Sequence, residues 1–167
     1  MRQFFISKVY EPLLQFLKQG TSPQKLALSL ALGFVVGHFP VYGTTTTLCT
    51  LIALGFRLNL PALQLANYLA LPTQIMLIVP FIDLGSVFYG PEFTLSLAQF
   101  TTAFEKDWWA GMQQFAYAVA QGMIGWAIVA PAVVLLLYAI LMPLLQRISK
   151  KRLQQTDSSS VEPTDNA

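Results

Sequence analysis

The residues best suited to chemistry lie together in one stretch, GHFPVYGTTTT at positions 37–47. Its proline and glycines break a helix, and a helix end leaves four backbone N–H or C=O groups without partners. Threonine hydroxyls can cap the N-terminus of the helix that follows, or bond back to carbonyls within the turn. That N-terminus carries a partial positive charge, so it could hold a phosphate or carboxylate group.

We therefore predict that a polar or anionic group, from a small molecule or a lipid head group, binds at this stretch. The candidate ligand-binding residues are Gly37, His38, Pro40, Gly43, Thr44, Thr45, Thr46 and Thr47. The alternative is that the threonines only satisfy a break that serves packing. Irregular backbone at membrane depth is tolerated where it is buried in protein or lines a cavity, which leaves both interpretations open.

Three polar residues outside this stretch are further candidates inside apolar runs: Asn59, Asn67 and Asp83. Acidic residues within a membrane are functional candidates by default, although Asp83 stands at a predicted boundary where it can face water. The asparagines either hydrogen-bond neighbouring helices or line a cavity.

Catalysis and metal binding find no support in the residue pattern. His38 is the single histidine, and no Cys/His/Asp cluster accompanies it for a metal site. A capping or interfacial role suits it better than a role as a titrating group. Because paired carboxylates, a Ser/His/Asp order and phosphate-binding glycine loops are also missing, we predict no catalytic residue and no cofactor. An enzyme is the least favoured class of function.

The composition predicts an all-α integral membrane protein. Of 167 residues, 54% are hydrophobic and only 11% are charged, with a mean hydropathy of +0.54. No charged side chain lies between Lys25 and Arg57, between Arg57 and Asp83, or between Asp107 and Arg147. A spanning helix needs about 20 mostly apolar residues, and each of these runs is long enough.

The distribution of charge predicts the topology. Basic residues lie before the first long apolar runs and after the last one, whereas acidic residues gather in the region 83–107. Since basic residues stay on the cytoplasmic side, we expect both termini to be cytoplasmic and the region 83–107 to be external. The C-terminal basic cluster could attract anionic lipids, so membrane lipids are expected partners and nucleic acids are not.

Three segments follow from this pattern. Residues 1–20 have helical spacing of apolar residues and predict an amphipathic helix on the cytoplasmic face. Residues 21–152 form the membrane domain, in which Ser22 and Pro23 are a start signal for the first helix. The polar tail 153–167 is predicted to be disordered.

The membrane domain is expected to combine interrupted and spanning helices. We predict that residues 26–56 form a re-entrant hairpin that turns at Pro40–Gly43, with one kinked span as the alternative. Residues 59–82 should then cross the membrane. Prolines divide both stretches, which indicates a paired, transporter-like pattern. The run 108–146 is predicted as an interfacial turn followed by a helix kinked near Pro131, and its glycines permit close helix approach.

The chain resembles a bacterial membrane family, catalogued as domain of unknown function 2062, in two motifs. These are Gly33-x-x-x-Gly37-x-x-Pro40-x-x-Gly43 with the threonines that follow, and Arg57-x-Asn59-x-Pro61-Ala62. The family often continues with Asn-Pro-x-Thr, where this chain reads Ala70-Leu71-Pro72-Thr73. The resemblance covers about residues 20–90, and it implies a multi-pass protein of the bacterial inner (cytoplasmic) membrane without an established activity.

Two functions from different classes fit these features. The first is transport or lipid handling, with a polar group bound at the broken helix 37–47. The second is a non-transporting accessory or assembly protein of the cell envelope, in which the break serves packing and a homo-oligomer is possible.

Overall fold

Four helices make up the part of the chain that the structure describes. The computed structural model describes residues 21–41, 43–88 and 107–160, with the side chains of the last helix described as far as residue 150. The helices are α1 (Pro23–Gly37), α2 (Thr45–Phe56), α3 (Leu60–Ser86) and α4 (Trp108–Ser160). No strand occurs within those ranges, so the predicted all-α class is confirmed for them.

Several predicted segments fall outside the described residues. The amphipathic helix 1–20 lies there entirely, as does most of the predicted external region, so both stay predictions. Helix α4 runs into the predicted disordered tail as far as Ser160, and residues 161–167 are not described.

Side-chain caps fix where α1 and α3 begin. The Ser22 hydroxyl accepts a hydrogen bond from the backbone N–H of Lys25 at 3.4 Å, and Pro23 occupies the first turn, as predicted. The Asn59 amide oxygen accepts a bond from the N–H of Ala62 at 2.9 Å. Both caps satisfy a donor that the first turn of a helix would otherwise leave unpaired.

Helices α1 and α3 lie parallel and in close contact through small residues. A Cβ atom added to Gly33 would clash with the carbonyl oxygen of Leu63, and one added to Gly37 would lie 2.6 Å from the Cβ of Ala70. Successive turns of α1 therefore meet successive turns of α3 in the same direction. Small residues at this spacing allow two helix backbones to approach closely.

Helix α4 packs antiparallel to both of them. Its later part joins the start of α1 in one buried cluster, where Leu145 meets Leu26 and Ala62. Its earlier part contacts the end of α3, since a Cβ on Gly125 would clash with the Phe81 carbonyl. The close helix approach that the sequence predicts at the glycines of this segment is confirmed here.

Two of the described helices are long and apolar enough to cross a membrane: Leu60–Ser86 and Trp108–Lys150. Only 28% and 6% of their most apolar windows are buried. The core helix of a soluble protein would be mostly buried, so this exposure agrees with a lipid environment, although no membrane is part of the structure.

Two predictions about interruptions are wrong. Helix α3 continues through Pro72 and Pro80, so the paired pattern of interrupted segments is not present. Helix α4 likewise is continuous from Trp108 through Pro131, so the run 108–146 contains no interfacial turn. The kink near Pro131 stays a prediction. Proline removes one hydrogen bond from a helix, and packing partners can satisfy the freed carbonyl without ending the helix.

The first segment does divide, and its two ends meet. The Asn59 side chain donates to the Thr21 hydroxyl at 2.9 Å, so the start of α1 and the end of α2 lie at the same end of the bundle. This geometry supports the hairpin over one continuous span. Its position relative to a membrane stays a prediction.

Candidate functional site

The break between α1 and α2 lies beside the middle of α3. The His38 ring nitrogen Nε2 is 2.8 Å from the hydroxyl of Thr73. Thr73 lies thirteen residues from both Leu60 and Ser86, the first and last residues of α3. At 1.5 Å per residue, this places the break about 20 Å from either end of that helix.

His38 and α4 together satisfy the carbonyls that α1 leaves open at its end. The His38 ring nitrogen Nδ1 is 2.8 Å from the Phe34 carbonyl oxygen. The Val35 carbonyl accepts from the backbone N–H of His38 at 3.1 Å and from the Trp126 indole N–H at 2.9 Å. A buried helix end needs such partners, and His38 therefore acts as a cap, as the sequence suggested.

The chain just after α1 is held by α3. The Gln74 side chain, only 1% exposed, donates to the Phe39 carbonyl at 2.8 Å. The Phe39 ring also meets Trp126 edge-on, with ring centroids 5.1 Å apart. Hydrogen bonds and aromatic packing from two neighbouring helices thus fix the conformation of the break.

The hydrogen bonds around His38 allow two proton arrangements. A carbonyl only accepts, so Nδ1 carries a hydrogen that it donates to Phe34. The Thr73 hydroxyl lies 2.9 Å from the Ala70 carbonyl as well. In neutral His38, Nε2 carries no hydrogen and can accept a hydrogen bond from the Thr73 hydroxyl. In charged His38, Nε2–H donates to the Thr73 oxygen, and the Thr73 hydroxyl then donates to the Ala70 carbonyl. These hydrogen positions are inferred from the pattern of donors and acceptors.

A cavity of about 290 Å³ lies between α1, α3 and α4 beside this pair. Apart from His38 and Thr73, its lining side chains are aliphatic or aromatic, and they include Leu77, Trp126 and Val133. Thr73 is exposed whereas His38 is 6% exposed, so the cavity opens to the surface of the bundle on the Thr73 side. The arrangement suits an apolar group whose end reaches one polar pair.

The four threonines, Thr44–Thr47, follow the break in the chain and are not part of the cavity lining. The Thr44 hydroxyl donates to the Val41 carbonyl at 2.9 Å, and the Thr44 side chain does not cap the N-terminus of α2. Of the two predicted roles, the bond back to the turn is therefore the one observed. Thr45 is buried, whereas Thr46 and Thr47 are exposed.

A polar row on α3 contacts this threonine side. The Gln64 amide donates to the Thr46 carbonyl at 3.1 Å, and the Asn67 amide donates to Gln64 at 3.3 Å. The Asn67 side-chain oxygen is buried and has no hydrogen-bond partner among the described residues. A Cβ on Gly37 would lie 3.1 Å from it, so that glycine makes room for the amide.

The structure therefore separates the predicted site residues. Gly37, His38 and Pro40 lie at the break, while Gly43, at φ +82°, leads to the threonines on an exposed turn. Asn59 lies at the base of the bundle. Asp83 is exposed ten residues beyond Thr73.

Sequence reasoning missed the two cavity residues that hydrogen-bond to the end of α1. Thr73 was noted only as part of the altered motif Ala70-Leu71-Pro72-Thr73, and its position after a proline was the available signal. Trp126 carried no local sequence signal, because its hydrogen bond to the Val35 carbonyl joins residues 91 positions apart.

Among the described residues, no group of three His, Cys, Asp or Glu side chains is placed to hold a metal ion. No match was found among curated proteins or among solved structures. One family model, DUF2062, described as "Uncharacterized protein conserved in bacteria", matches residues 8–154. The match covers most of the chain, and the protein belongs to that family.

Proposed function

We propose that this protein is a multi-pass protein of the inner membrane that handles lipids. In this proposal the cavity between α1, α3 and α4 binds part of one apolar chain, and the polar end of the ligand lies against His38 and Thr73. The polar group expected at the broken helix 37–47 is then the head of that ligand.

The observation that carries the proposal is the cavity itself. Its volume of about 290 Å³ is near the lower end of the range of about 300–1,000 Å³ for small-molecule sites, so it fits a portion of a chain. Its single polar pair is already hydrogen-bonded internally, which disfavours a hydrated ion. A lipid chain that enters from a membrane gains no hydrophobic transfer energy, so its binding would rest on van der Waals packing against the aliphatic and aromatic lining.

The surroundings of the opening also favour a lipid. Near Thr73 on α3, the side chains of Leu69 and Met76 are 56% and 77% exposed. Such a surface suits contact with acyl chains, so a lipid could reach the cavity sideways without crossing water.

The distribution of charge agrees with insertion in a membrane. One end of the bundle carries Lys25 and Arg147, because Leu26 and Leu145, close to them in sequence, pack in one buried cluster. Arg57 lies at the same end, since Asn59 hydrogen-bonds to Thr21 there. Asp83 and Asp107 lie at the end of α3 and the start of α4, at the opposite end. Under the positive-inside rule, the basic end is cytoplasmic.

A fluorescence experiment tests the cavity directly. In a Trp108→Phe, Trp109→Phe background, Trp126 is the remaining tryptophan. A fatty acid brominated in mid-chain, added to the protein in detergent, should quench its fluorescence in a saturable manner. Ala130→Leu fills the cavity and should abolish the saturable part, whereas Ala132→Leu, on an exposed position outside the lining, should not.

The same pair of variants separates the proposal from the accessory role. The complete set of partners for the carbonyls of Phe34, Val35 and Phe39 favours a break that serves packing alone. If quenching is non-saturable in the parent protein, or identical in the two alanine variants, the lipid proposal fails and the accessory role is favoured.

A further inference from the structure

A second cavity lies at the base of the bundle, apart from the apolar one. It has a volume of about 550 Å³ and lies where α1 and α3 begin and α2 ends. Its lining includes Thr21, Ser22, Lys25, Arg57 and Asn59. We refer to it as the basal cleft, and its lining contrasts with the aliphatic walls near His38.

Hydrogen bonds fix the shape of the basal cleft. The Asn59 side chain donates to Thr21 at 2.9 Å and accepts from Ala62 at 2.9 Å. The backbone N–H of Asn59 donates to the Ser29 hydroxyl at 3.0 Å, and that hydroxyl donates to the Lys25 carbonyl at 2.7 Å. Asn59 therefore holds the starts of α1 and α3 together.

Two cations remain at this cleft without an acidic partner among the described residues. Lys25 and Arg57 are both exposed, and neither forms an ion pair within the described ranges. The nearest described acid along α3 is Asp83, twenty-four residues beyond Asn59 and about 35 Å away at 1.5 Å per residue. Salt screens exposed charges over about 8 Å, so Asp83 does not neutralise them.

We propose that the basal cleft binds the phosphate group of a phosphorylated ligand. Arginine and lysine donors suit phosphate oxygens, and basic pockets between membrane helices on the cytoplasmic side bind anionic lipid head groups. The proposal is independent of lipid binding at the apolar cavity, because none of the described residues lines both cavities. A phospholipid head group and free phosphate share the relevant chemistry.

The backbone at Arg57 provides a variant that removes the charge without harming the fold. Arg57 has φ 51° and ψ 48°, a left-handed conformation that glycine adopts more readily. Arg57→Gly should therefore keep or raise the thermal midpoint of the protein without ligand. Lys25→Gln removes the second charge. Lys150→Gln is the control, because it makes the same change at the same end of the bundle and outside the cleft lining.

Thermal midpoints of the full chain test the proposal in two arms. The soluble arm compares inorganic phosphate in detergent with sodium chloride of equal ionic strength. The lipid arm compares nanodiscs that contain phosphatidic acid with nanodiscs that contain diacylglycerol, the same lipid without phosphate. A ligand that binds only the folded protein raises the midpoint. A rise in the lipid arm alone indicates a head group, and a rise with inorganic phosphate indicates that the free anion is sufficient.

We expect the apparent dissociation constant to rise about tenfold in Lys25→Gln and in Arg57→Gly, which corresponds to one lost charge-assisted contact. We expect less than a twofold change in Lys150→Gln. The proposal is overturned if neither arm raises the midpoint of the wild type. It is also overturned if all three variants weaken binding equally, because that would show general attraction to a basic surface.

Discussion

Two prolines in apolar helical sequence have opposite outcomes in this protein. The segment around Pro40 ends one helix and starts another, whereas α3 continues through Pro72. Pro40 lies between Gly37 and Gly43, and Gly43 has a φ of +82°. The stretch around Pro72 contains no glycine from Leu60 to Leu84. A proline alone therefore does not interrupt a helix here.

Hydrogen-bond donors around the break also distinguish it from the stretch near Pro72. At the break, side chains from α3 and α4 donate to the carbonyls of Phe39 and Val35. An irregular segment is stable away from water only where its backbone groups find such partners. Side chains that are distant in sequence therefore contact the break, in addition to the local signals of Pro40 and its neighbouring glycines.

The largest loss in the free energy of unfolding is expected when a substitution forces α1 and α3 apart. Gly33→Ala would push its Cβ into the Leu63 carbonyl, which is backbone and cannot rotate away. We expect a loss of about 3 kcal/mol in the free energy of unfolding, at the upper end for overpacking. Unfolding titrations in detergent would measure it.

Gly55→Ala in α2 is the matched control for that change. A Cβ at Gly55 meets none of the described residues within 4 Å, and the position is helical. Alanine there should stabilise the protein by about 0.5–1 kcal/mol. Equal destabilisation by both substitutions would contradict the close packing of α1 against α3.

Much of the fold could be predicted from the sequence, because its signals are local. The start of α1 at Ser22 and Pro23, the apolar run of α3 and the turn near Pro40 all depend on neighbouring residues. The return of the chain toward Arg57 followed from the charges at the two ends. These features need no knowledge of how helices pack.

The candidate site could be predicted only in part. His38 and the break were identified, but the contact with Thr73 depends on the register between α1 and α3, 35 residues apart. The bond from Trp126 to the Val35 carbonyl depends equally on tertiary packing. A single sequence contains no direct signal for such pairings.

A smaller effect is expected when the break loses its donor from α3. Gln74→Leu keeps the approximate side-chain volume but leaves the carbonyl of the partly buried Phe39 without that hydrogen bond. An unpaired buried acceptor costs about 1–3 kcal/mol. The substitution also removes the Gln74 oxygen, which has no partner among the described residues, so we expect a net loss of about 1 kcal/mol.

Gln113→Leu is the control for Gln74→Leu, because Gln113 is exposed on α4. Its free energy of unfolding should change by less than about 0.5 kcal/mol. If Gln74→Leu proves equally neutral, the idea that donors from α3 maintain the break is wrong, and Pro40 with its glycines would be sufficient.

The smallest effect concerns the threonines and distinguishes a structural role from a binding role. The Thr44 hydroxyl bonds to the Val41 carbonyl on an exposed turn, so Thr44→Val should cost about 0.5–1 kcal/mol. Thr46 contributes its carbonyl to Gln64, and valine retains that carbonyl. Thr46→Val should therefore change the free energy of unfolding by less than about 0.5 kcal/mol.

A ligand bound through the exposed threonine hydroxyls would instead make Thr46→Val weaken ligand-induced stabilisation while the stability without ligand stays unchanged. Thermal midpoints with and without brominated fatty acid separate the two cases, and retention of the full shift by Thr46→Val would place the polar end of the ligand at His38 and Thr73 rather than at the threonine turn.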